Sequence, residues 1–98
     1  MAAFKEIIAS EKPVLIDFYA DWCGPCKTMA PYIQEVKASL GDAIKVLKID
    51  VDKNQNLAQS LAIQGIPTIA IYQNGQQKWR QSGVVPPNTL KAELEKLL

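Results

Sequence analysis

Polar and apolar positions change period several times along the chain, and each change marks an element. The run "KPVLIDFYA", residues 12–20, is apolar almost throughout, rich in β-branched and aromatic residues, and bounded by Pro13. That pattern predicts a strand covered on both faces of a sheet. From Gly24 to Leu40 the period becomes helical, with Met29, Ile33, Val36 and Leu40 on one stripe and Gly41 as a stop. Pro31 falls inside this helix and removes one backbone hydrogen bond, so a kink is expected there. "AIKVLKIDVD", residues 43–52, alternates again: Ile44, Val46, Lys48 and Asp50 face one way, Leu47, Ile49 and Val51 the other. A short helix follows over 54–63, with Leu57, Ala58 and Leu61 as its apolar stripe, and then a strand over 67–73. Asn74-Gly75 is a two-residue hairpin turn, which makes 76–82 an antiparallel strand. After Pro86-Pro87, "NTLKAELEKLL" reads as a last helix with Leu90, Leu94 and Leu97 inward. Residues Phe4–Ala9 are weakly helical.

The order (α)β-α-β-α-β-β-α predicts an α/β fold: a mixed sheet of about four strands with helices on both faces. A βαβ unit supplies parallel strands and the hairpin an antiparallel edge. The chain has 98 residues, one domain's worth, so residues 1–98 are read as a single domain. Eleven basic and ten acidic residues leave a formal charge of +1, which gives no electrostatic footprint for nucleic acid and no basic face for a membrane surface. No apolar run is long enough to span a bilayer. Lys5, Glu6, Glu11 and Lys12 stand where a signal peptide would need an apolar core, so a cytoplasmic location is expected.

That expectation sharpens the question raised by the only two cysteines, Cys23 and Cys26. A structural disulfide does not suit a reducing compartment, and a loop this small stabilises little. The pair falls at the junction of the first strand and the long helix, the carboxyl end of a parallel strand, where open α/β folds place their ligands. Cys23 is placed at or beside the helix N-cap, where free amides and the helix dipole favour its thiolate. Pro25 suits the first turn, Gly24 keeps the backbone tight and the sulfur open, and Cys26 lies one turn on, beneath Cys23, placed to resolve a mixed disulfide. The alternative, half of a zinc site, needs four ligands; the chain has no His and no third Cys, so two chains would have to share the metal.

Asp17 interrupts the apolar strand. A buried carboxylate is costly unless paired or protonated, and burial raises its pKa. It is read as the proton acceptor for Cys26, directly or through one water; the alternative is that it points to solvent. Lys48 on the next strand is placed to neighbour Asp17 and tune it, or else is simply solvated. Trp22 either shields the pair and contacts substrate or packs. In "GIPT", residues 65–68, Ile66-Pro67 is a candidate cis peptide, with Gly65 and Gly83 as turn residues.

"WCGPCK" at 22–27 after "DFYA" at 17–20, then "GIPT" and "NG", closely resembles the thioredoxins from about Phe4 to the C-terminus. The resemblance implies a protein-disulfide reductase with no bound cofactor or metal. Cys23 would be an exposed nucleophile, Cys26 the buried resolving thiol, Asp17 the buried acid and Lys48 its partner. A flat substrate surface would comprise Trp22, Gly24, Pro25, Ile66, a cis Pro67, Gly83 and Val84. Clients would be disulfide-containing proteins, and electrons would come from NADPH through a thioredoxin reductase.

Two departures stand out. No strand is read before the first helix, where the family usually has one; strand 43–52 is then expected at a sheet edge open to pairing, in a protein otherwise expected to be monomeric. Tyr19 stands where Trp is common, a change expected to affect packing more than mechanism. Other readings remain: a glutathione-dependent reductase on the same fold, a disulfide oxidase or isomerase, a redox-switched binding module, and a metal-bridged dimer.

Overall fold

The computed structural model describes residues 2–98. Its elements are α1 (Ala2–Ile8), β1 (Val14–Tyr19), α2 (Gly24–Leu40), a 3-10 turn (Gly41–Ala43), β2 (Lys45–Asp50), α3 (Gln55–Ser60), β3 (Thr68–Gln73), β4 (Gln76–Ser82) and α4 (Pro87–Glu95). The four strands form one sheet in the order β2-β1-β3-β4. β1 is central, and Val14 through Phe18 are buried, which explains its unbroken apolar run.

Successive residues of β1 serve opposite faces. Leu15 joins Ile69 and Ile71 under α2 and α4, packed on Met29, Ile33, Val36, Leu90 and Leu94. Val14, Ile16 and Phe18 join Ala70 and Tyr72 on the other face, beneath Phe4 and Ile8 of α1. The alternation places Asp17 on the α2 side, next to Leu15.

One expectation needs correcting. β1 and β2 are parallel, but β3 runs antiparallel to β1, so the reversal takes in the whole hairpin and not only its last strand. Residues 51–67, which include α3, do not run back along the length of the sheet. β3 starts where β1 ends, with Thr68 opposite Phe18, and the Ile66-Pro67 segment comes to the same end of the sheet as the cysteines.

Local closures hold the ends. Lys37 donates to the carbonyls of Gly41 and Ile44 at 2.8 Å, satisfying groups beyond the last turn of α2. Pro31 lies inside α2, which runs through it unbroken. The Asn74-Gly75 turn has φ of 53° and 80°, the left-handed pair a tight hairpin needs. Its amides donate to Ser10 O at 2.9 Å and Ile8 O at 2.8 Å, which pins the end of α1 to the hairpin.

Candidate active site

The site grows from the end of β1. The chain leaves the sheet at Ala20, turns with Cys23 N donating to Ala20 O at 3.2 Å, and enters α2. Cys23 is the N-cap in extended conformation, and its Sγ accepts a hydrogen bond from Cys26 N at 3.2 Å. Pro25 occupies the first turn, where its missing N–H leaves no bond unmade. Cys23 and Cys26 form a disulfide with their Cα atoms 5.3 Å apart. A sulfur held as acceptor at a helix N-terminus is stabilised as an anion when the bond opens.

Cys23 is 3% exposed and Cys26 5%, so the expected exposed nucleophile is buried in this oxidised form. The cause is packing: both sulfurs join Ala20 in a cluster closed by Tyr19, Val51 and Ile66. The surface around them is open instead. Trp22 is 71% exposed, and Gly24, Pro25, Gly65, Gly83 and Val84 are exposed with it. Of the expected substrate surface, Ile66 is half-buried and Pro67 buried. Ile66-Pro67 is cis. Gly83, at φ 90°, donates its amide to Pro67 O at 2.8 Å, joining the hairpin end to the rim.

Asp17 is buried, not turned to solvent, and neither carboxylate oxygen has a hydrogen-bond partner among the described residues. Burial pushes its pKa up from an ordinary 3.8 to about 6, against the opposing pull of the Lys48 cation. Lys48 is opposite Asp17 in the parallel register. It is exposed, and its Nζ lies 4.7 Å from the centroid of the Tyr19 ring. Lys48 is therefore solvated and makes no ion pair with Asp17 among the described residues. A cleft of about 160 Å³ opens beside it, bounded by Cys26, Lys27 and Ala30 of α2 and by Tyr19 and Lys48 of the sheet.

Two residues have no signal in the sequence, and a third, Tyr19, is expected from it to affect packing more than mechanism. Asp52 Oδ2 accepts from Trp22 Nε1 at 2.8 Å and orients the exposed indole. Arg80 of β4 donates to Leu61 O at 2.6 Å and Ala62 O at 2.7 Å, holding the end of α3 and Ala62 at φ 56° ahead of the Pro67 segment. Tyr19 carries the Lys48 cation. Neither Asp52 nor Arg80 belongs to a motif, and the contact of Tyr19 with Lys48 links two strands. Among the described residues no group of three or more His, Cys, Asp or Glu side chains converges, and no helix is long and apolar enough to cross a membrane.

A Cys-x-x-Cys pair that caps a helix and packs against Ile66, with a buried acid on the preceding strand, is the site of a thiol–disulfide oxidoreductase, one that works by dithiol–disulfide exchange. Comparison with known proteins agrees. The family model described as Thioredoxin matches residues 1–96. The chain belongs to the thioredoxin family. It is similar to a thioredoxin of Synechocystis sp. (44% identity over 98 residues, 99% of this chain and 92% of that one). It is also similar to the chloroplastic thioredoxin Y of Oryza sativa subsp. japonica at 46% identity over 98 residues, spanning 99% of this chain but 58% of the rice protein. Among solved structures, a mutant thioredoxin of Halobacterium salinarum superposes with a TM-score of 0.88 at 33% identity, covering 99% of this chain and 84% of that one.

Proposed function

We propose that this thioredoxin-family chain reduces disulfides of client proteins, with Cys23 as nucleophile, Cys26 as resolving thiol and Asp17 as proton acceptor. The observation that carries these roles is the geometry of one corner: Cys23 caps α2 while an unpaired acid is buried on the same side of β1. In the reduced protein the Cys23 thiolate attacks one sulfur of the client disulfide, forming a mixed disulfide and releasing the other sulfur as a thiolate. Cys26 gives its proton to Asp17 and attacks Cys23 Sγ, which expels the second client sulfur. Two electrons have then passed to the client, and the Cys23–Cys26 disulfide remains. A carboxylate with a pKa of about 6 is a better base than an ordinary one and is still mostly ionised at neutral pH.

The client docks on the rim formed by Trp22, Gly24, Pro25, Ile66, Pro67, Gly83 and Val84. Electrons return from NADPH through a thioredoxin reductase, no bound cofactor or metal is needed, and the protein acts in the cytoplasm as a monomer. A dimeric mass at high concentration would instead favour pairing through β2. The roles are tested with Cys26→Ser, which should accumulate a covalent complex with a disulfide client through Cys23; no adduct would overturn them. Asp17→Asn should leave the first attack intact and slow resolution in single-turnover kinetics.

A further inference from the structure

Lys48 has a choice of positions, and the one it takes is informative. Its backbone is opposite Asp17 in adjacent parallel strands, so both side chains leave the sheet on the α2 side. A direct ion pair with the buried carboxylate is not made, since both Asp17 oxygens lack a partner among the described residues. The ammonium lies instead over the face of Tyr19, two positions beyond Asp17 on the same side of β1, at 4.7 Å. There it forms one wall of the cleft whose other wall is Cys26, Lys27 and Ala30.

We infer that Tyr19 is a positioning residue for the buried acid: its ring holds the Lys48 ammonium at the mouth of the cleft beside Cys26 and fixes the field in which Asp17 gains and loses its proton. Without the ring, the strongly hydrated ammonium on its flexible stem would spend more time in bulk water, farther from Asp17. An exposed cation over a ring face gains a factor of about two to five in occupancy, enough to move a neighbour's titration by a few tenths of a pH unit. Few other groups compete. The β3 residue opposite Asp17 is Ile69, which is apolar. From α2 come Cys26, locked in the disulfide, and Lys27 across the cleft, and from the connecting loop comes Asp21. Asp50, farther along β2, uses its Oδ1 to accept from the amides of Asp52 and Lys53.

This deepens the proposed acceptor role and rests on it only for its effect on turnover; the titration itself is read without turnover. The Asp17 side-chain carboxyl carbon is followed by NMR against pH in the oxidised protein. Lys48→Met should raise the midpoint. Tyr19→Leu should raise it in the same direction and by no more, Tyr19→Phe should restore it, and Tyr19→Leu combined with Lys48→Met should match Lys48→Met alone. A midpoint unchanged or lowered in Tyr19→Leu, a Phe variant that shifts like Leu, or additive effects in the double variant would overturn the inference. Should Tyr19→Leu fail to fold, the wild type decides. The Lys48 ε-methylene protons should be displaced upfield by the ring, and random-coil shifts would refute the contact. Unchanged resolution kinetics in Asp17→Asn would remove the acceptor role and leave the titration result standing.

Discussion

Removing the charge from Asp17 should stabilise the protein, and only over a defined range of pH. In the folded state burial raises the pKa to about 6 from an ordinary 3.8. Below 3.8 both folded and unfolded chains carry the proton, and the acid imposes no charge penalty. Between 3.8 and about 6 the folded chain holds a proton that the unfolded chain has lost, so folding stability falls as pH rises. Above about 6 the penalty is complete. At about 1.4 kcal/mol per pH unit, that gap corresponds to roughly 3 kcal/mol. Asp17→Asn abolishes the titration but leaves an amide with its own unmet hydrogen bonds, a loss of about 1–3 kcal/mol that does not vary with pH. The diagnostic quantity is therefore the slope, not the offset. Urea denaturation of the oxidised wild type and of Asp17→Asn from pH 3 to 8 should give stability curves that diverge between about pH 4 and 6, the variant gaining by up to roughly 3 kcal/mol. Curves that stay parallel would mean that Asp17 is not held in a charge-averse site.

Arg80→Leu should cost about 2 kcal/mol in urea denaturation, because two charge-assisted bonds to the carbonyls of Leu61 and Ala62 are lost, and Arg80→Lys should fall between. Asp52→Ala should change stability by less than about 1 kcal/mol, since its bond to Trp22 is exposed, yet raise KM for protein disulfides more than it lowers kcat by freeing the indole.

Much of this corner was legible because local chemistry dictates it. Cys-Gly-Pro-Cys after an apolar run fits an N-cap followed by a first turn, and Asn-Gly between two strands fits little but a tight hairpin. Asp17 stood out because a charge in a buried strand contradicts its surroundings. The direction of β3 did not show, because it depends on where residues 51–67 deliver the chain, which is set by packing in three dimensions and not by pattern. The burial of Cys23 depends on Val51 and Ile66, which arrive from other elements. The role of Arg80 and the contact of Tyr19 with Lys48 did not show for the same reason: the partners are backbone carbonyls or a side chain on a neighbouring strand, and neither leaves a mark on its own segment.

The bonds from Asn74 N to Ser10 O and from Gly75 N to Ile8 O have a use beyond holding α1 in place. Those two amides sit at an exposed turn, where exchange with solvent hydrogen would otherwise be fast. Their protection is thus a built-in gauge of whether the N-terminal segment is seated on the sheet. Slow exchange at 75 that becomes rapid when α1 is deleted, while the amides of β1 stay protected, would show the first helix undocking as a unit, independently of the redox site at the opposite end of β1.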